Sequence, residues 1–203
     1  MSTIHFLRCA LLISVALLGA CEQSSAPPLD QQLYIWQRQW TPAHAEALTQ
    51  SRNGFSTLRV LALQNHPQAG WRRAQIDSAL LKADARPLIA VVRLDGQLRQ
   101  LDASETIKQV LQVAADWQAQ GVVLAGMEID HDAGTAKLPA YRQFLQALRA
   151  ALPSSLKLSI TALPAWLDSP ELPGLLAQVD SSVLQVHAVS DPNRGLFDPV
   201  QAR

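Results

Sequence analysis

Ala125-Gly126-Met127-Glu128-Ile129-Asp130-His131-Asp132 follows the small and apolar run Gly121-Val122-Val123-Leu124, and the two together read as one buried strand. Side chains on a strand alternate between faces, so Glu128, Asp130 and Asp132 share one face and Met127, Ile129 and His131 the other. Three carboxylates stacked on an otherwise apolar strand are costly, because like charges resist joint ionisation and burial raises carboxylate pKa values. Stability gives little reason to build such a row. Holding a proton or a cation where chemistry happens does. The same crowding predicts that Asp130 and Asp132 repel each other and titrate apart, one of them raised.

Around this segment short apolar runs alternate with amphipathic ones. Strands are expected at Leu33 to Trp36, Thr57 to Leu63, Pro87 to Leu94, Leu156 to Ala162 and Ser182 to Ala188, with the acidic strand fourth. Helices are expected from Pro42 to Ser51 with Thr41 as N-cap, from Ser104 to Gln120 with Gly121 closing it, from Leu138 to Leu152, and from Pro170 to Val179. Asn65 to Gly70 has loop composition, and Trp71 to Ala83 carries no firm pattern. Alternation of this kind predicts an α/β fold, a parallel sheet covered by helices. No glycine-rich phosphate loop opens a helix, which weakens a nucleotide-binding doubly wound sheet. A (β/α) TIM-barrel-like fold gains weight because Arg93, Asp130, Asp132, Thr161 and His187 gather at strand ends. About six of the eight strands can be counted, and an eight-stranded barrel needs roughly 250 residues. The chain of 203 residues therefore reads as an incomplete barrel, a truncated gene product or fragment.

The first 20 residues read as a signal peptide: His5 and Arg8 without an acid, then an apolar run from Cys9 to Leu18, too short to span a membrane. Leu18-Gly19-Ala20-Cys21 resembles the bacterial lipobox, which implies acylation of Cys21. Glu22 in the next position, where inner-membrane retention would want aspartate, points to an outer-membrane lipoprotein facing the periplasm. Residues 21–31 form the lipidated cysteine and a Ser- and Pro-bearing tether, and residues 32–203 the partial barrel. Cys9 leaves with the signal and Cys21 takes lipid, so disulfides, cysteine-built zinc sites and thiol catalysis are excluded. Balanced charge, 17 basic against 17 acidic residues, argues against a nucleic-acid partner.

The acidic segment also resembles the strand-four signature of family-18 glycoside hydrolases, in which an aspartate-glycine pair precedes alternating acids and the last glutamate donates the proton. That resemblance places Glu128 and Asp130 at the inner acids and Asp132 at the donor, all three as catalytic candidates. More broadly the chain is similar to an uncharacterised family of bacterial lipoproteins with glycosidase-like barrels. The likeness rests on Leu33-Tyr34-Ile35-Trp36, Val92-Arg93-Leu94-Asp95-Gly96, Glu128-Ile129-Asp130-His131-Asp132, Leu158-Ser159-Ile160-Thr161-Ala162-Leu163 with Trp166, and Val183-Leu184-Gln185-Val186-His187. It implies a polysaccharide partner contacted by Trp36, Arg93, Thr161, Trp166, Gln185 and His187. Trp36 and Trp166 are expected at the rim, where aromatic faces stack on sugars, and Trp40, Trp71 and Trp117 in packing.

Two departures from the hydrolase signature matter. Ala125 replaces its first acid, and Asp132 is shorter than glutamate by one methylene, a retraction that can cost about 10²-fold in rate. Glu128 either orients Asp130 or pairs with a barrel arginine, for which Arg93 is the candidate, and His131 is expected behind the sheet. A cation held by Asp130, Asp132 and His187 is the rival chemistry; no metal-binding spacing supports it, and no cofactor is called for. The expected function is an envelope lipoprotein acting on polysaccharide by carboxylate acid catalysis. The alternative is a carbohydrate-binding or envelope-structural protein on the same fold.

Overall fold

The computed structural model describes residues 29–186, and the fold is that of the unit beginning at Gln31. Strand β1 (Gln32–Ile35) is followed by α1 (Ala43–Ser51), β2 (Thr57–His66), β3 (Gly70–Arg73), α2 (Ser78–Asp84), β4 (Leu88–Leu94) and α3 (Ala103–Ala119). Then come β5 (Gly126–His131), α4 (Leu138–Ala151), β6 (Lys157–Ala162), α5 (Leu172–Leu176) and β7 (Ser181–Leu184). Six strands run parallel in the order β1-β2-β4-β5-β6-β7, with β3 antiparallel on β2. Among the described residues β1 and β7 do not pair, so the sheet is an open, incomplete (β/α) barrel. The acidic strand is fourth of the parallel six, as its sequence position implies.

Local chemistry accounts for the elements. The Asp102 side chain accepts the Glu105 N–H and opens α3, and Gly121, at φ +77°, turns the chain out of it. In α4 the stripe Tyr141, Phe144, Leu145 and Leu148 is buried against the sheet. Its counterparts on β5 are Met127 and Ile129, both fully buried. One continuous apolar layer thus lies between strands and helices, and the inner face of the sheet is left for polar side chains.

Three sequence expectations are corrected. Gly121 to Leu124 is not strand: the Val122 N–H bonds back to the Trp117 carbonyl, Val123 is 86% exposed, and β5 starts only at Gly126. The apolar run is a helix-to-strand loop. Asn65 and His66 belong to β2, and a turn at Gly70 (φ +63°) sends the chain back as β3. Helix α2 follows, capped by Asp77 and ended by Ala85 in the left-handed region (φ +60°); alanine there gives no sequence signal for a stop. Finally, Pro42 rather than Thr41 occupies the capping position of α1, without a side-chain cap bond.

Gly126 shows how closely β5 and β6 pack. A Cβ there would lie 2.6 Å from the Lys157 carbonyl oxygen, which belongs to backbone that cannot yield without disturbing the ladder. Gly126→Ala is expected to destabilise by about 1–3 kcal/mol, read as a lower midpoint in thermal unfolding. An unchanged midpoint would show that the strands can part at this point.

Candidate functional site

Alternation along β5 places Glu128 and Asp130 on the inner face of the sheet, with Asp132 just past the strand end on the same side. They occupy two levels. At the lower level Glu128 is fully buried and paired with Arg59 of β2 through a short Nη1–Oε2 contact. Arg59 Nη1 also donates to Ser159 Oγ (3.0 Å), Ser159 donates to Glu128 Oε2 (3.1 Å), and Arg59 Nε donates to Gln32 Oε1 (2.7 Å). The guanidinium lies over the Tyr34 ring, 5.6 Å from its centroid. The Tyr34 hydroxyl and Glu128 Oε1 are buried without a well-formed hydrogen bond and act on each other electrostatically. Burial pushes the Glu128 carboxyl above its ordinary range, against the pull of Arg59. Burial, and then the charge of Glu128, push the Tyr34 phenol up as well.

At the upper level, Arg93 of β4 spans two acids, with Nη1 donating to Asp130 Oδ2 (2.8 Å) and Nη2 to Asp132 Oδ2 (2.9 Å). Thr161 Oγ1 (2.7 Å) and Gln185 Nε2 (3.0 Å) donate to Asp130 Oδ1. Asp130 is sealed from solvent, whereas the Asp132 side chain is 32% exposed. Burial raises the Asp130 pKa despite the hydrogen bond from Thr161 and the charge of Arg93. The expectation that repulsion from Asp132 governs this titration is therefore corrected. Burial is the larger cause, and Arg93 sits between the carboxylates. Arg93 also lies over the Trp36 ring, 5.8 Å from its centroid. Trp36 is 40% exposed and stacks on Tyr34 at 5.3 Å with the planes 4° apart.

The structure thus brings Trp36, Arg93, Asp130, Asp132, Thr161 and Gln185 together at the C-terminal ends of the strands, with Glu128 beneath them. His187 and Cys21 lie outside the described residues. Trp166 is not at the rim: it is fully buried, donates Nε1–H to the Ala133 carbonyl (2.8 Å) and packs edge-on to Tyr141. Its place is explained by the 3₁₀ turn of residues 164–166, which folds the indole under the Asp132-Ala133 turn. Arg93 is not the partner of Glu128; Arg59 is, because β2 rather than β4 carries the inward cation at that level. Thr161 and Gln185 each donate a hydrogen bond to Asp130 Oδ1 and so orient it. His131 lies behind the sheet, donating Nδ1–H to the Leu94 carbonyl (3.1 Å) and meeting Tyr141 edge-on.

The residues missed by sequence reasoning are Arg59, Tyr34 and Gln32. Arg59 left a signal: a cation inside Leu58-Arg59-Val60-Leu61 needs a buried counter-charge, and Glu128 was available. Residue 96 is confined to glycine beside Asp132, since a Cβ there would lie 2.2 Å from the Asp132 carbonyl oxygen. Among the described residues no group of three or more His, Cys, Asp or Glu side chains converges as a metal site.

Residues 84–203 match the family described as a domain of unknown function, DUF3142. The chain belongs to that family. No curated protein sequence matches it. The spore cortex-lytic enzyme SleL of Bacillus cereus is similar in fold, with a TM-score of 0.64 at 14% identity over 80% of this chain and 42% of that one. A chitinase of Chromobacterium violaceum gives 0.59 at 15% identity, over 81% of this chain and 58% of the other. The carboxyl transferase domain of Rhizobium etli pyruvate carboxylase gives 0.55 at 17%, over 88% and 33%. The DUF3142 chain thus spans about half the length of the first structures it resembles. At these identities the likeness shows the barrel fold alone.

The raised Glu128 pKa has a testable sign. A carboxyl raised on folding contributes stability that is fully present below its unfolded value, near 4.5, and lost as pH rises through the folded value. Glu128→Gln removes that dependence. The stability of wild type minus that of Glu128→Gln should fall as pH rises above about 4.5 and level off once the buried carboxyl has ionised, whatever the constant cost of leaving Arg59 without its counter-charge. Denaturant unfolding at several pH values measures it, and a difference independent of pH would refute the assignment.

Proposed function

We propose that this protein is an envelope lipoprotein that binds polysaccharide across the C-terminal rim of its barrel. One observation carries the reading: an exposed indole, Trp36, lies beside a guanidinium and a half-exposed carboxylate that are already fixed in place. The apolar face of a sugar ring stacks on an aromatic face, and its hydroxyls pair with charged donors and acceptors. Because Tyr34 backs the indole and Asp130 anchors Arg93, little side-chain freedom remains to be lost when a sugar arrives. The likeness to SleL and the chitinase supports a glycan as the ligand class. Acylation of Cys21 would supply the membrane partner, with the domain facing the periplasm.

Cleavage is the second reading, favoured by Asp132 standing at the mouth with Asp130 behind it. Here Asp132 protonates the leaving oxygen, and Asp130, kept by burial toward its neutral form, steadies it through Arg93. Against this stand the missing methylene and the engagement of Asp132 Oδ2 by Arg93. With Oδ2 held by Arg93, only Oδ1 is left to carry a proton to substrate, and a neighbouring guanidinium favours the ionised form of the acid. Binding asks for no such proton.

Trp36→Ala should weaken retention on an immobilised glycan about tenfold or more, since an aromatic stacking contact contributes on the order of 1 kcal/mol beyond its buried area. Asp132→Asn should leave binding largely intact and abolish any hydrolysis. Chitin, peptidoglycan and glycans lacking N-acetyl groups are the substrates to screen. Wild-type affinity in Trp36→Ala would sink the rim assignment, and wild-type turnover in Asp132→Asn would sink the donor role. Cys21→Ser should move the protein from the membrane to the soluble fraction; a variant that still pellets would refute the anchor.

A further inference from the structure

The end of the barrel opposite the carboxylates carries an exposed apolar loop among cations. All six parallel strands begin there. Gly121 turns the chain out of α3, Val122 folds inward to 3% exposure, and Val123 projects outward at 86%. Cavities of about 460 Å³ and 510 Å³ flank this loop and share Gly121 to Leu124 as a common wall. Val123 therefore stands proud of the surface on both sides.

Basic side chains surround it. Lys82 lies in the last turn of α2, its chain passing within 3.4 Å of where a Gly121 Cβ would stand. Arg52 follows α1, Arg149 ends α4, and Lys157 begins β6 with its side chain 72% exposed. Two carboxylates face these groups. Asp84 is committed to Arg86 (2.6 Å) and Arg52 (3.4 Å). Asp180 is divided between Lys157 (3.3 Å), Arg149 (3.6 Å) and the Leu158 N–H (2.8 Å). On the flank Arg73 and Asp116 cancel each other (2.7 Å). Among these residues of the described unit, five cations (Arg52, Lys82, Arg86, Arg149 and Lys157) stand against Asp84 and Asp180 around an aliphatic tip.

A partner for such a face presents negative charge and accepts a small apolar side chain just beneath it. The headgroup layer of a bilayer containing anionic phospholipid has both properties. Chain connectivity favours it over other acidic partners. Strand β1 enters at this same end with Gln32, ten residues of chain (22–31) after Cys21. Ten residues can reach no further than about 33–36 Å.

We propose that this end face, with Val123 at its tip and Lys82 and Lys157 beside it, lies against the anionic phospholipid headgroups of the membrane that holds the anchor. The carboxylate rim is thereby turned away from the membrane, toward the periplasm. The proposal rests on the lipid-anchor reading, and its test separates the two. Cys9 precedes the lipobox and Cys21 would carry lipid, so Val123→Cys gives the mature acylated chain one labelling site; Gln97→Cys, in the exposed loop at the opposite end, gives the control. Each is labelled with an environment-sensitive fluorophore and reconstituted in phosphatidylethanolamine–phosphatidylglycerol vesicles bearing a headgroup-level nitroxide quencher. The Val123 label should be quenched several-fold more than the Gln97 label, and the excess should fall in high salt and in a Lys82→Glu/Lys157→Glu variant. Equal quenching at both ends overturns the orientation, as does shielding of the Val123 label by self-association before vesicles are added. An excess unaffected by salt and charge reversal overturns the role given to the cations. The mass of the purified chain tests the anchor by itself: without acyl groups, both anchor and orientation fall.

Discussion

Two inward arginines make the acidic strand possible. Glu128, Asp130 and Asp132 along one face would repel one another and resist burial, and neither hydrophobic packing nor backbone hydrogen bonding offsets that cost. Arg59 sits at the level of Glu128 and Arg93 spans Asp130 and Asp132. Each guanidinium presents several donors in a fixed plane, so one side chain can serve two acceptors at once. The barrel interior is built around these pairings. Gln32, Ser159, Thr161 and Gln185 add further hydrogen bonds from the strands to either side. Removing one arginine would leave a carboxylate with nothing but distant dipoles to stabilise it, which is why the pairs define the site and also constrain the fold.

The two levels differ in what they can do. Around Glu128 the network is closed to solvent, with the Tyr34 hydroxyl and Glu128 Oε1 buried there without a well-formed hydrogen bond. Nothing larger than a proton has reason to move there. Around Asp132 the network opens: one carboxylate, one guanidinium and one indole reach the surface while their other contacts point inward. A side chain tied at its base and free at its tip is the form a recognition site takes. The lower level fixes the height and tilt of the upper one through Tyr34, which both underlies Trp36 and faces Arg59.

Much of this was legible in the sequence where period decides the matter. The alternation of Met127, Ile129 and His131 against Glu128, Asp130 and Asp132 gives the two faces of β5, and the stripe on α4 gives what covers the back. Contacts set by strand order were not legible. Arg59 and Arg93 are both inward cations on apolar strands, and which acid each meets depends on register and on the bulge in β2 between Leu61 and Leu63. Local sequence carries neither. Trp166 and the run Gly121 to Leu124 failed for a related reason. An apolar residue beside a strand can continue it, pack under it or project from it, and only the neighbouring elements choose among these. The β3 hairpin and α2 were missed because Ala85 ends that helix where glycine would have signalled a stop.

The barrel by itself does not decide between holding a glycan and cleaving one. SleL and a pyruvate carboxylase domain resemble this chain in fold with TM-scores of 0.64 and 0.55, and the chemistry of barrels resides in their rims. Here the rim restrains Asp132 through Arg93, which holds one oxygen of its carboxylate. Restraint favours recognition, because a carboxylate held still loses little entropy when a sugar hydroxyl arrives. Acid catalysis makes a further demand, that the proton-bearing oxygen reach the glycosidic oxygen at hydrogen-bonding distance. A side chain one methylene short, with Oδ2 already committed to a guanidinium, meets that demand through Oδ1 or by being drawn off Arg93. Asp130 would then remain the hydrogen-bonding partner of Arg93 while Asp132 moves. The division of labour between a buried acid that keeps the arginine in place and an exposed acid with one oxygen free is the property of this rim on which any turnover would depend.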